Sequence, residues 1–134
     1  MKKGYIDQLE TATTKNTDYR RVIYTGKYSQ LVLMSLKPGE EIGAEVHDNN
    51  DQFFRFEEGE GVVEIDGARH PVKDGSGVVV PNGARHNVIN TSKTADLKLY
   101  TIYTPPNHID GRVHATKEDA ERDVEDEKFG RRVE

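Results

Sequence analysis

Between Arg21 and Thr104 no apolar stretch is long enough to form the buried face of a helix. The apolar residues come in short bursts, and turn residues break every one of them. Strands are expected over Arg21–Thr25, Gln30–Leu36, Ala44–His47, Gln52–Glu58, Gly61–Ile65, Arg69–Val72, Gly77–Val80, Arg85–Asn90 and Leu97–Thr104. The breaks are Pro38-Gly39, Asp48-Asn49-Asn50, Glu58-Gly59, Asp66-Gly67, Asp74-Gly75, Pro81-Asn82-Gly83 and Asn90-Thr91-Ser92. Asp66-Gly67 is the sharpest hairpin signal, because a type I′ turn needs positive φ at both central residues. Regular short strands with no helix between them predict one antiparallel sandwich or barrel. There is no internal repeat, so a single barrel is the limit.

Parity assigns faces, since successive side chains of a strand point to opposite sides. In Leu97–Thr104 it sends Leu97, Leu99, Thr101 and Tyr103 inward and Lys98 to water. In Gln52–Glu58 it sends Gln52, Phe54 and Phe56 inward and leaves Phe53 and Arg55 outside. An outward Phe53 is apolar surface that a second sheet or a second subunit would cover, and a homodimer is expected.

The last residues differ from the rest. Residues 116–134 are dense in both acids and bases and nearly free of apolar groups. Thr116 is the expected N-cap of a helix reaching about Lys128, with Gly130 as its stop. Such a run reads as an exposed, fraying helix. The chain therefore divides into a β-barrel domain, residues 1–115, and a charged helical tail, residues 116–134.

Composition removes whole classes of function. The 134 residues contain no cysteine. Disulfides, thiolate nucleophiles, iron–sulfur clusters and cysteine-ligated zinc are thereby excluded. A net charge of −5 argues against a nucleic-acid partner, which calls for a basic face. No apolar stretch has the length of a membrane span and no secretory signal is visible, so a cytoplasmic protein without a membrane partner is expected.

His47 follows Glu45 by two residues, so on a strand both aim at one interior point. His86 lies on another strand, just after Pro81-Asn82-Gly83. Two imidazoles and one carboxylate converging with open positions are a facial triad for a divalent metal. The spacing around these residues resembles the cupin superfamily. The first cupin motif, G-x5-H-x-H-x3,4-E-x6-G, is followed here by Gly39, Glu45, His47, Gln52 and Gly59, with Glu45 replacing the first His and Gln52 replacing the Glu. The second motif, G-x5-P-x-G-x2-H-x3-N, is matched at every defined position by Gly75, Pro81, Gly83, His86 and Asn90. The resemblance implies an all-β, double-stranded β-helix (a jelly-roll-like barrel) with a short C-terminal helix, usually dimeric. It also implies one divalent metal bound by Glu45, His47, Gln52 and His86. The exchanged positions keep the charge of the usual ligand set at −1. Mixed oxygen and imidazole donors suit Fe, Mn, Ni, Co or Zn.

Stand-alone cupins of this size are similar to those grouped with mannose-6-phosphate isomerase. A metal-dependent enzyme acting on a small polar metabolite is therefore expected, of the kind of a sugar or sugar-phosphate isomerase, with Glu45 as ligand or catalytic base. A non-haem dioxygenase and a non-catalytic binding module for a small ligand are the alternatives. Phe54 and Tyr103 inside the barrel, and His108 on a loop able to fold over its mouth, are the expected substrate contacts. His70 is expected at the surface. Of the basic candidates for a phosphate, Arg55, Arg85 and Lys98 fall on the outer face by parity, which counts against a sugar-phosphate; Arg69 is the fourth.

Overall fold

A computed structural model describes residues 3–132. Its strands are β1 (Arg20–Thr25), β2 (Gln30–Leu36), β3 (Asp51–Glu58), β4 (Glu60–Ile65), β5 (Ala68–Lys73), β6 (Gly77–Val80), β7 (His86–Asn90), β8 (Leu97–Thr104) and β9 (Val113–His114). Three helices flank them: α1 (Leu9–Lys15), α2 (Lys117–Arg122) and α3 (Val124–Arg132). One sheet has the order β6-β3-β8-β2-β1-β9 and the other β5-β4-β7, with antiparallel pairing throughout. The two sheets face each other as the double-stranded β-helix that the turn pattern and the resemblance anticipate. No helix among the described residues is long and apolar enough to cross a membrane.

The core fills the space between the sheets. Phe54, Phe56, Met34, Leu36, Leu97 and Leu99 are each essentially inaccessible to water. All belong to the inward parity set of their strands. Truncating Phe56 to alanine removes a fully buried ring, and such changes cost about 3–5 kcal/mol. The Asp66-Gly67 turn takes φ values of 48° and 85°, as a type I′ hairpin requires. Gly59 has a φ of 95° and sits where a Cβ would strike the carbonyl of Asp96, so only glycine fits there.

Three expectations fail. Residues 44–47 form no strand; the segment is held to β7 by isolated bridges, Glu41 to Ile89 and Glu45 to His86. Lys98 does lie on the outer face, yet it is buried, because α1 lies over β8 and β3. Its ammonium donates to the carbonyl of Asn16 at 2.5 Å. No apolar period announces α1; it stays folded through tertiary packing around the fully buried Thr13. The third concerns the tail, which packs onto the barrel rather than fraying into solvent. Thr116 is indeed an N-cap, with a reciprocal capping box to Asp119. The expected single helix then breaks at Asp123. Gly130 lies inside α3, where its missing side chain lets the helix approach the Asn107 carbonyl. Asp126 is only 4% exposed.

On the outer face of the large sheet Phe53 is half-buried, and its cross-strand neighbour Val79 is 68% exposed. His70 is exposed on β5, as expected.

Candidate functional site

Glu45 and His86 are a reciprocal backbone pair. Glu45 N–H donates to the His86 carbonyl at 2.8 Å, and His86 N–H to the Glu45 carbonyl at 2.9 Å. Directly opposed residues of an antiparallel pair send their side chains to the same face. His47, two residues beyond Glu45, is fixed by the Gly83 N–H donating to its carbonyl at 2.8 Å. The positive φ of Gly83, 84°, makes that turn. From the opposite sheet, Gln52 and Tyr103 are register partners across β3 and β8 and also face inward. The second motif's proline and glycine thus work as geometry, bringing His86 beside His47 with ring centroids 5.4 Å apart.

The hydrogen bonding around these groups is incomplete in an informative way. His86 Nδ1 lies 3.1 Å from the Ala84 carbonyl, so in the neutral ring Nδ1 carries the proton and Nε2 a lone pair. That lone pair faces Gln52 Oε1 at 3.2 Å. The Gln52 amide N–H is already donated to Thr101 Oγ1 at 3.0 Å. Two acceptors therefore confront each other. A proton between them is disfavoured, because burial holds the His86 pKa below its ordinary value. His47 Nε2 is buried with no hydrogen-bond partner, at 3.3 Å from Glu45 Oε2. Burial works to raise the Glu45 pKa; the close approach of His47 and the charges of His47, Arg20 and His86 outweigh it and hold the carboxyl below the usual range. An anion, two imidazoles and an amide oxygen thus gather at one end of the barrel in two close pairs, Glu45 with His47 and His86 with Gln52; these donor types suit a divalent cation, although Glu45, His47 and His86 do not bring their ligand atoms within 4.8 Å of one another as a set.

Beside Glu45 and His47 opens a cavity of about 490 Å³, which His86 and Gln52 do not line. Its walls include Glu45 and His47, Tyr19 just before β1 and Arg20 at its start, Asn107 and His108 of the loop after β8, and residues of α2 and α3. The tail is thus part of the cavity wall. Phe54 does not line the cavity: it is 1% exposed, its ring 6.4 Å from Phe56 and 6.1 Å from His86. Tyr103 also lies behind the wall, edge-on to His47 at 5.9 Å.

His108 does reach the mouth, held at both ring nitrogens. Its Nδ1 lies 2.7 Å from Asp126 Oδ2 and its Nε2 3.2 Å from the Tyr103 hydroxyl. Burial and the nearby Arg20 guanidinium push its pKa down to about 4. At neutral pH the ring therefore donates from Nδ1 to the Asp126 carboxylate and accepts from Tyr103 at Nε2. Asp126 also accepts the Ile109 N–H at 2.7 Å. A second cluster ties down the start of α3. His114, Asp123 and Asp126 bring their ligand atoms within 4.8 Å of one another. These are metal-binding residue types, but Asp123 Oδ2 already takes His114 at 2.8 Å and Arg112 at 3.1 Å, and Asp123 Oδ1 takes the Asp126 N–H. We read the cluster as an ion-pair latch that fastens the tail to the barrel.

The sequence reading missed Arg20, Asn107 and Asp126. Arg20 was within reach of parity: the inward Val22 on the same strand forces Arg20 inward and Arg21 out, and their burial follows that alternation. Nothing in the charged tail distinguished Asp126 from its neighbours.

Comparisons with known proteins agree with the fold. A family model described as a cupin domain matches residues 32–103. The uncharacterised protein YrkC of Bacillus subtilis (strain 168) is 48% identical over 124 residues, covering 88% of this chain and 66% of YrkC. The uncharacterised protein L612 of Acanthamoeba polyphaga mimivirus is 44% identical over 112 residues, covering 81% of this chain and 70% of L612. The chain thus spans about two thirds of the length of these curated relatives. The crystal structure of BH2720 from Bacillus halodurans superposes with a TM-score of 0.86 at 40% identity, covering 89% of this chain and 94% of that one. The chain belongs to the cupin-domain family.

Proposed function

We propose that this protein is a divalent-metal cupin that takes a small polar metabolite into the cavity between the barrel mouth and the C-terminal helices. One observation carries the reading: the orphaned His47 Nε2 beside Glu45, together with a His86 lone pair aimed at the Gln52 amide oxygen. Glu45, His47 and His86 would hold the ion, and Gln52 would offer a fourth, weaker oxygen. Bound there, the ion would supply Lewis-acid polarisation of a substrate carbonyl or hydroxyl oxygen. The protein's own groups orient and exclude. Tyr103 holds its proton, because burial raises its pKa far above the ordinary value. His108 has both nitrogens engaged and acts as a strut between barrel and tail. With the ion held by His47 and His86, proton transfer to a ligand falls to the Glu45 carboxylate oxygen that the ion leaves free at the cavity wall. A cavity of about 490 Å³ matches ligands of metabolite size.

The test is metal analysis after loading with Mn(II), Fe(II) or Zn(II) and desalting. About one ion per chain is expected in the parent. His47→Ala and His86→Ala are each expected to lose most of it, since removing one of three strong ligands removes most of the affinity. Stoichiometric metal in both variants refutes the assignment. Oxygen uptake and carbonyl–hydroxyl isomerisation, assayed on the loaded protein with a metabolite panel, then separate dioxygenase from isomerase chemistry.

A further inference from the structure

Arg20 enters the barrel mouth from β1, opposite Met34 on one side and His114 on the other. It is 9% exposed, and its Nε is buried without a hydrogen-bond partner. No carboxylate among the described residues lies within ion-pair distance of it. Its guanidinium carbon lies over the ring of Tyr19, 5.2 Å from the ring centre. A guanidinium carries five N–H donors and no acceptor, so leaving it buried and unanswered is costly. It lines the same cavity as Glu45 and His47.

We propose that Arg20 is the anion-recognising residue of this cavity, and that the ligand is a small molecule bearing a carboxylate or phosphate oxyanion. The proposal rests on the metabolite-binding reading above and gives that ligand its charge. The other cations of the wall are committed: Lys117 donates to the Glu41 carbonyl at 2.5 Å, and Arg131 pairs with Glu127 at 3.5 Å. Most of the carboxylates are committed too. Asp126 is held by His108 and the Ile109 N–H, Glu127 by Arg131, and Glu45 faces His47. Glu121 remains on the α2 rim. Arg20 differs from Lys117 and Arg131 in being buried; it lacks any ion-pair partner among the described residues, and its planar fork matches two oxygens of one oxyanion. A ligand with an oxyanion at one end and a hydroxyl or carbonyl at the other would reach from Arg20 toward Glu45 and His47, which share its wall. Of the basic residues that the sequence offers for a phosphate, parity turns Arg55, Arg85 and Lys98 away from the barrel interior, and Arg69 pairs with Glu64; Arg20 reaches the cavity from β1 instead.

The test is calorimetric titration of the parent, Arg20→Met and Arg20→Lys, each with and without Mn(II). The probes are glycolate, malonate and inorganic phosphate, with glycolamide as the neutral control. The parent is expected to bind at least one oxyanion and to bind glycolamide at least tenfold more weakly. Glycolate or malonate binding identifies a carboxylate ligand, and phosphate binding a phosphorylated one. Arg20→Met is expected to lose tenfold or more of that affinity while keeping the parent's metal content. Arg20→Lys keeps the charge but not the fork, and is expected to lose threefold or more; it carries the test if the methionine variant does not fold. Equal oxyanion affinity in the variants, equal affinity for glycolamide, or no oxyanion binding by the parent overturns the proposal. A parent that binds oxyanion through Arg20 but takes up no Mn(II) overturns the metal reading alone.

Discussion

Replacing Asp126 by alanine should undo the docking of the C-terminal helices. Asp126 sits at 4% exposure and accepts two short hydrogen bonds, from His108 Nδ1 and the Ile109 N–H, both at 2.7 Å. Hydrogen bonds to a charged group are worth about 1.5–3 kcal/mol each, and the alanine variant leaves both donors buried without an acceptor. Loss of the pair should therefore cost about 3–5 kcal/mol, limited by the free energy with which the tail docks, because the chain can escape the penalty by releasing α3. Asp126→Asn is the informative control. His108 can shift its proton to Nε2 and accept from the new amide, while the amide oxygen still receives Ile109; two neutral bonds survive, and the cost should be about 1–2 kcal/mol. Denaturant unfolding measures the global term. Hydrogen exchange across residues 117–132 measures the local one, and rapid exchange confined to that segment is expected in the alanine variant. If Asp126→Ala costs less than about 1 kcal/mol and leaves exchange unchanged, the latch is not what holds the tail. Equal costs for alanine and asparagine would refute the hydrogen-bond accounting.

Truncation after Ala115 should remove part of the cavity wall and leave His108 without Asp126; weakened oxyanion binding and a lower Tm are expected, and parent-like values for both would show that the tail is a passenger. Stability should also fall as the solution is acidified. The His108 pKa is pushed down to about 4 in the folded state against about 6.5 unfolded, so between those values the unfolded chain binds the extra proton. The stabilisation is full above about pH 6.5 and is lost toward pH 4, to a limit of about 3 kcal/mol; His108→Asn should flatten that slope in urea titrations at stepped pH. Gln52→Glu should tighten Mn(II) and Zn(II) binding by about tenfold, because an anionic oxygen replaces a neutral one; no gain in titration would place Gln52 outside the ligand set. Light scattering should find a dimer if a second copy covers Phe53 and Val79, and Val79→Lys should then shift it to monomer; a monomeric parent refutes that use of the face.

The architecture was legible from local chemistry. Turn residues at fixed intervals, the Asp66-Gly67 pair and period-two alternation each report on residues close in sequence, and each survives in the fold. The facing of Gln52, Phe54, Phe56, Leu99 and Tyr103 followed from parity alone, as did the outward aim of Lys98. Glu45, His47, Gln52 and His86 could be nominated because motif spacing is a local quantity; strand alternation served Gln52 but not Glu45 and His47, whose segment forms no strand. What covers a face is not local. Lys98 points outward as parity requires and is still buried, because α1 folds across it through contacts that its own sequence does not encode. The tail offered few apolar groups, so its docking had to come from paired polar groups. Asp126 meets His108 and Asp123 meets His114 only once the loop after β8 brings those histidines to the barrel mouth. Arg20 is likewise ordinary in sequence. It becomes distinctive because closure of the barrel buries its guanidinium beside Glu45 and His47 without an acceptor. Periodicity decides which way a side chain points; only tertiary closure decides whether it meets water, a partner or an empty place in the wall of a cavity.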